Sequence, residues 1–276
     1  MIGQVELKKR IMAQIENNTF PRFSILVGQQ GSGKKMMCGF ISTHLHAYPY
    51  HCGIGVDDIR KMITEANKVS AKMLFIIPDA DKMSVAAKNA LLKVTEEPPQ
   101  NAYFIMTLTD VNSTLTTIKS RGTVYYMDNY SVSELYDYAR DKTNHTLHDD
   151  EFEIIRNICE TPGEVNILLG DDKCGVLDFY NYVEKVVDNI AVVSGSNSFK
   201  IGEKITFKDS DVDKFDLKLF WKSFMTICVS RLRNDPFRYS AGVRITSKYL
   251  QELRLTGVNK QATFDMWLLD IRQEWM

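Results

Sequence analysis

The stretch LVGQQGSGKK, Leu26 to Lys35, decides the fold class of this chain. Gly28, Gly33 and Lys34 supply three of the four fixed positions of the phosphate-binding loop G-x-x-x-x-G-K-[ST]. In such a loop the glycines let backbone N–H groups surround phosphate oxygens at the start of a helix, where the helix dipole also favours an anion. The stretch therefore predicts a strand, a phosphate-binding loop and a helix in succession.

The residue after this lysine departs from the pattern. A Ser or Thr would hold Mg²⁺ through its hydroxyl, but Lys35 carries an ammonium group, which has no lone pair to give. We therefore predict a loop that cradles the phosphates of ATP or ADP without supporting fast hydrolysis. The residues expected to contact the nucleotide are Gly28, Gly31, Ser32, Gly33, Lys34 and Lys35.

Four apolar stretches predict buried β-strands, at residues 23–27, 72–78, 102–109 and 123–127. Strands that alternate with helical segments are typical of a parallel α/β sheet, with ligands at the carboxyl ends of the strands. After residue 127 three short helices predict a small lid-like domain, and from about residue 176 the chain is predicted to be wholly helical. The predicted domains are residues 1–128, 129–175 and 176–276.

The overall charge excludes attraction to nucleic acid by a global field. The chain has 34 basic and 35 acidic residues and a net charge of −1, so any DNA contact must be local or shared with partners. Arg60, Lys61 and Lys68 are candidates for such a contact, although solvated charges are the commoner explanation. No apolar run approaches the ~20 residues that span a bilayer, and we expect a cytoplasmic location without membrane contact.

The five cysteines are scattered and include no C-x-x-C pair, which indicates reduced thiols. One cluster, HLHAYPYHC, offers His44, His46, His51 and Cys52 as metal ligands. Zinc sites usually take their ligands from two separate arms at short, fixed spacings, whereas these four residues lie in a single stretch. We therefore predict no structural zinc.

Several separated motifs agree in their order and spacing. The glycine loop, VDDIRKMI at 56–63, NALLKVTEEPP at 89–99 and SRG at 120–122 resemble the clamp-loader branch of the AAA+ ATPases. The resemblance implies a P-loop α/β domain, a three-helix lid and a helical collar domain for oligomerisation. It also implies three kinds of partner: other clamp-loader subunits, a sliding clamp, and primer-template DNA reached through the complex.

The chain departs from the ATP-hydrolysing members of that family at two further points. Their acidic Asp-Glu pair follows a buried strand, and alignment places Pro78 at the Asp and Asp79 at the Glu. A one-residue bulge would place Asp79 at the Asp and Ala80 at the Glu, so either register loses one acid. In the lid, Gly163 stands where the resemblance predicts the arginine of a G-S-x-R motif.

One catalytic element of the family remains. Ser120 and Arg121 match its S-R-C motif, with Gly122 in place of the cysteine. The resemblance implies that Arg121 is an arginine finger, inserted into the ATP site of a neighbouring subunit, where a permanently charged planar guanidinium fits phosphate oxygens. A structural arginine at the start of a strand is the alternative.

Together these features predict a non-hydrolysing clamp-loader subunit that helps to place a sliding clamp on primed DNA during replication. An ATP-hydrolysing AAA+ motor that tolerates Lys35 is the alternative within the family. A P-loop kinase acting on a small molecule is a third possibility, which the lid and the helical tail disfavour.

Overall fold

The computed structural model of the 276-residue chain describes residues 2–142, 147–170, 175–192, 199–207, 215–253 and 258–276. The chain forms two compact units, Met1–Glu134 and Leu135–Met276, and each is described by itself. The three-domain division, with boundaries at residues 128 and 175, stays a prediction.

The first unit is built on a five-stranded parallel sheet with the strand order β2-β3-β4-β1-β5. This confirms the predicted α/β class, and the four predicted strands agree with the observed ones to within one residue at each end. Strand β2 was not predicted, because a stretch of Tyr, Pro, Tyr and His has no continuous apolar run. The strands are β1 (Phe23–Val27), β2 (Tyr48–His51), β3 (Met73–Ile77), β4 (Ala102–Leu108) and β5 (Thr123–Tyr126).

Helices cover both faces of this sheet, which is why strand β1 is buried at every position. On one face, residues of α1 and α2 pack around Leu26 and Ile105, and on the other, residues of α3 and α4 pack around Phe75 and Phe104. The helices of this unit are α1 (Val5–Glu16), α2 (Lys34–Leu45), α3 (Val56–Ala66), α4 (Val85–Glu96) and α5 (Thr116–Lys119), and α6 (Val132–Lys142) begins at its end.

The second unit is mainly helical, as predicted. Its core is aromatic: Phe220, Phe224 and Trp267 are fully buried, and the Trp267 ring lies 5.6 Å and 5.0 Å from the other two rings. Two-residue strands β6 (Ile205–Thr206) and β7 (Phe215–Asp216) also pair in parallel, which the prediction of a wholly helical region did not include. The remaining helices are α7 (Asp149–Ile158), α8 (Pro162–Leu169), α9 (Val176–Asn189), α10 (Leu217–Arg231), α11 (Pro236–Glu252) and α12 (Lys260–Trp275).

Across the ranges given above, no helix combines the length and the apolar character that a bilayer span requires.

Candidate functional site

The glycine loop lies between the carboxyl end of β1 and the first turn of α2. Gly31 and Gly33 have positive φ angles of 81° and 88°, a conformation that favours glycine. A Cβ on Gly28 would approach within 2.7 Å of both the Met127 side chain and Ser32 Oγ, so the loop also requires glycine there. The loop therefore has the tight backbone course that its sequence predicts.

The loop presents backbone donors to its concave side. The first α2 hydrogen bond runs from Met37 N–H to the Gly33 carbonyl, which leaves the preceding N–H groups of the helix without helical acceptors. Ser32 is buried, its carbonyl accepts a 2.7 Å hydrogen bond from the Tyr130 hydroxyl, and its own Oγ has no partner among the described residues. This arrangement suits an anion such as a phosphate.

Lys34 points back into the loop. Its Nζ donates to the carbonyls of Gly28 at 2.6 Å and Gln29 at 2.9 Å. Burial lowers the pKa of this ammonium, while the carboxylates of Asp79 and Asp81 act in the opposite direction. Lys34 and the two aspartates therefore lie close enough for their charges to interact.

Lys35 does not join this group. Its side chain is exposed and lines a cleft between α2 and β2, together with Gly39 and Thr43. An ammonium cannot donate a lone pair to Mg²⁺, so the position that would hold the metal has no protein ligand.

Asp79 follows β3 in a left-handed backbone conformation, with φ at 44°, and its backbone N–H donates to Thr107 Oγ1 at 3.1 Å. Its exposed carboxylate lies 3.6 Å from Lys82 Nζ. Pro78 precedes it and offers no side-chain oxygen. The turn after β3 therefore presents one carboxylate, from Asp79, where the family's motors present two.

Asp81 anchors this turn through contacts that the sequence did not reveal. Its carboxylate accepts hydrogen bonds from the Ser113 hydroxyl at 2.6 Å and from the backbone N–H groups of Thr109 and Asp110 at 2.9 Å and 3.3 Å. Burial opposes ionisation of Asp81, but these donors hold its pKa below its ordinary value. The residue therefore ties the turn after β3 to the turn after β4.

Arg121 lies away from the loop, just before β5. Strand β5 is parallel to β1 and Thr123 pairs with Ser24, so Arg121 stands at the end of the sheet opposite the loop, which follows Val27. With a rise of about 3.3 Å per residue, the two ends of these strands are roughly 13 Å apart. The structure therefore does not bring Arg121 together with Lys34.

The Arg121 guanidinium has partners within its own chain. Its Nε donates to the Glu96 carboxylate at 2.9 Å, a second N–H donates to the same oxygen, and a third donates to the Thr117 carbonyl at 2.5 Å. Glu96 is the last residue of α4 and is exposed. An exposed ion pair of this kind contributes little stability, about 0–1 kcal/mol.

The histidine and cysteine cluster has other contacts. His44 Nδ1 lies 2.9 Å from the Phe40 carbonyl, and the two rings are 4.1 Å apart. Burial raises the pKa of Cys52 to about 11, so its thiol stays protonated at neutral pH, whereas zinc binds the thiolate. In the described part of the chain, no three side chains of ligand type come together at a metal-binding distance.

We expect protein purified without chelator to contain far less than one zinc ion per chain, because the cluster offers neither a thiolate nor a convergent geometry. Elemental analysis by mass spectrometry measures this directly. Near-stoichiometric zinc that survives gel filtration would contradict the prediction.

The lid segment carries an acidic residue beside the position of the missing arginine. Glu164 is only 4% exposed, and its carboxylate contacts Lys218 Nζ at 2.6 Å and Lys222 Nζ at 2.9 Å, both on α10. It also accepts the Glu160 N–H at 2.8 Å. Burial opposes its ionisation, but the two lysines and this N–H hold its pKa below its ordinary value. Gly163 itself has no side chain to contact a nucleotide.

Residues 14–131 match the family model described as DNA polymerase III, delta subunit. Subunit delta′ of DNA polymerase III from Haemophilus influenzae is 29% identical over 126 residues, which cover 42% of this chain and 38% of that protein. Subunit delta′ from Yersinia pestis is 37% identical over 78 residues, covering 27% and 23%. The match thus spans well under half the length of these relatives.

Two solved structures share the fold. A DNA polymerase III gamma subunit-related protein from Thermotoga maritima superposes with a TM-score of 0.55 at 18% identity, over 99% of this chain and 100% of that one. The RuvB Holliday junction branch migration motor of the same organism gives 0.51 at 16% identity, over 84% and 77%.

The parallel sheet, the glycine loop at the carboxyl end of β1 and the matched sequences occupy the same part of the chain. Through residues 14–131, the chain therefore resembles the DNA polymerase III delta subunit family and the delta′ subunits of that polymerase.

Proposed function

We propose that this chain is a non-hydrolysing subunit of a DNA sliding-clamp loader. In this role it stabilises a hetero-oligomeric ring, supplies Arg121 to the ATP site of a neighbouring subunit, and helps to place the clamp on primer-template DNA. The observation that carries the proposal is the position of Arg121 at the end of the sheet opposite the chain's own loop.

The chemistry of the loop supports a lack of hydrolysis. Phosphoryl transfer depends on positioning and charge neutralisation, to which Mg²⁺ contributes strongly. Lys35 replaces the hydroxyl ligand and Pro78 replaces a carboxylate, so both protein positions expected around the metal are lost. Of the two positions aligned with the family's acidic pair, Pro78 and Asp79, only Asp79 is an acid. Its exposed carboxylate forms an ion pair with Lys82.

The same loop still suits phosphates. The backbone N–H groups at the start of α2 and the Lys34 ammonium would hold ATP or ADP, which supplies negative phosphate oxygens as acceptors. The residues present therefore fit a bound nucleotide better than they fit the Mg²⁺ needed for its hydrolysis.

The contacts of Arg121 support an action in trans. Its guanidinium is held by Glu96 and by the Thr117 carbonyl, near the molecular surface. The guanidinium can exchange this exposed carboxylate for phosphate oxygens with little loss of stability, because an exposed ion pair contributes only about 0–1 kcal/mol. Arg121 is thus held near the surface by partners that it can exchange, at the end of the sheet opposite Lys34.

A second candidate function is an ATP-hydrolysing clamp-loader motor. Subunit gamma/tau from Mycobacterium tuberculosis is 40% identical over 70 residues, covering 24% of this chain and 12% of that protein. This candidate requires waters to complete the Mg²⁺ shell in place of the side chains at positions 35 and 78.

We expect the purified chain to hydrolyse ATP at a rate near background, with or without DNA, because the metal has no protein ligand at those two positions. The measurement is release of radioactive phosphate from labelled ATP. The double variant Lys35→Thr with Pro78→Asp should bind nucleotide with Mg²⁺ more tightly, yet hydrolyse slowly, since Gly163 stands in place of the arginine of the lid motif. Turnover by the unmodified chain at the rate of a loader motor would support the second candidate instead.

A further inference from the structure

A groove separates helix α2 from the edge strand β2 in the first unit. Lys35, Gly39 and Thr43 lie four residues apart and so form one stripe along α2. A Cβ on Gly39 would meet no atom within 4 Å, so the glycine opens the groove at its middle. The opposite wall includes Tyr48 and His51, and the cavity volume is about 620 Å³. Clefts for small ligands have volumes of ~300–1,000 Å³.

Strand β2 is a poor template for a further strand. The N–H groups of Tyr48 and Cys52 donate to the carbonyls of Lys72, just before β3, and Ile76, in β3, each at 2.9 Å. Because peptide groups alternate in direction along a strand, those of Pro49 and His51 point to the free edge of the sheet. Proline has no N–H group, which leaves this edge with a single donor. A ligand of the groove must therefore be recognised by side chains rather than by strand addition.

Those side chains combine cationic or N–H donors with exposed rings. Lys35 offers an ammonium, His46 and His51 offer imidazoles, and Tyr48 is 70% exposed. Among the residues that the structure describes, no carboxylate lines the groove. Phosphates with attached flat bases are the chemical class that such a surface recognises.

A second, smaller cleft of about 280 Å³ shares His46 with the groove and extends the same chemistry. It adds Lys72 and the Tyr103 ring, over which the Arg22 guanidinium lies at 4.4 Å. Its lining also includes the carboxylate of Glu16. Cations and rings thus continue from one cleft to the next, as on a surface that follows a strand of linked nucleotides.

We propose that the groove between α2 and β2 binds single-stranded nucleic acid, with Lys35 contacting a phosphate and Tyr48 stacking on a base. This assigns a role to Lys35 and to the histidine cluster, which the phosphate loop does not use. The proposal does not rest on the proposed function, and its test needs neither ATP nor a partner subunit.

The test is fluorescence anisotropy of a fluorescein-labelled 12-nucleotide oligothymidylate, titrated with the full chain at low salt. Tyr48→Ala should weaken binding by roughly 5- to 100-fold, the range that stacking of one base provides. Lys35→Ala should reduce the slope of log affinity against log salt by about 0.7, the value for one phosphate contact with a single strand.

A groove-filling variant separates loss of binding from loss of folding. In Gly39→Leu, the leucine side chain fills the open space of the groove, so binding should be at least tenfold weaker. The variant should still fold, because leucine favours helix more than glycine does. Gly39→Ala is the matched control and should bind nearly as the unmodified chain does. Lys93→Ala removes an exposed lysine that lines neither cleft, and should leave binding unchanged.

Three results would overturn the proposal. One is binding that neither Gly39→Leu nor Tyr48→Ala weakens. Another is equal affinity for a duplex of the same length, whose bases cannot stack on Tyr48. The third is full competition by polyglutamate of the same charge, which would indicate a site for acidic peptides.

Discussion

Replacement of Arg121 by alanine should lower the DNA- and clamp-stimulated ATPase rate of an assembled loader by about tenfold or more. Arginine fingers contribute on the order of 10³–10⁵ in rate in GTPases, and a ring with several ATP sites should lose less in total. The loss arises because the guanidinium would stabilise charge developing on the neighbour's ATP. The measurement is steady-state phosphate release by the complex reconstituted with the variant, after gel filtration confirms assembly.

The contacts of Arg121 supply a sharp control. If Arg121 is only structural, Glu96→Gln weakens the same ion pair and should affect the ATPase as Arg121→Ala does. If Arg121 acts in trans, Glu96→Gln releases the guanidinium and should preserve the rate. Arg121→Lys keeps the charge without the planar fork and should recover only part of the activity. Undiminished ATPase and clamp loading by an assembled Arg121→Ala complex would leave a structural role alone.

Glu164→Gln should destabilise the second unit by about 3–5 kcal/mol, because it leaves Lys222, itself largely buried, without its principal counter-charge. Glu160→Gln is the matched control: this carboxylate contacts the same lysine at 3.1 Å but is more than half exposed, so about 0–1 kcal/mol should be lost. A loss no greater in Glu164→Gln than in Glu160→Gln would contradict the assignment.

Tryptophan fluorescence in a urea titration isolates this effect. The three tryptophans of the chain, Trp221, Trp267 and Trp275, all belong to the second unit, so their emission reports its unfolding and not that of the first. Because the two units can unfold separately, each variant is compared through this one signal.

The advantage of Glu164 over glutamine should depend on pH in a defined direction. The pKa of Glu164 is lowered in the folded protein, so its contribution is fully present above the ordinary glutamate value of 4.5. It is lost as pH falls through the lower, folded value. The difference in unfolding free energy between the two proteins should therefore be constant near neutrality and shrink below about pH 4.5.

The sequence predicted four of the five strands of the first unit because each forms a continuous run rich in apolar residues, and three of them, β1, β3 and β4, are buried along nearly their whole length. Strand β2 lies at the edge of the sheet, where only Tyr50 packs against the core among its residues, and Tyr48, Pro49 and His51 line the groove. In the sequence, four such residues with a proline among them resemble a loop, and only their pairing with β3 shows that they form a strand.

The candidate site was predictable where chemistry is local. The glycine loop, Lys34 and the turn with Asp79 follow from contiguous residues. The hydrogen bonds of Asp81, by contrast, are made to the turn at Thr109 to Ser113. The ion pair of Glu164 with Lys222 likewise joins residues that lie far apart in the sequence. The fold brings such partners together from distant parts of the sequence, so residue spacing within one stretch cannot predict them.

The strand order also has a consequence for synthesis of the protein. Strand β1, at residues 23–27, hydrogen-bonds with β4 and β5, which begin only at residues 102 and 123. About a hundred further residues must therefore be translated before both neighbours of β1 are present. Non-local parallel pairing of this kind is also slow. During that interval an apolar strand with two open edges is exposed, so the nascent chain should depend on chaperones more than its final stability suggests.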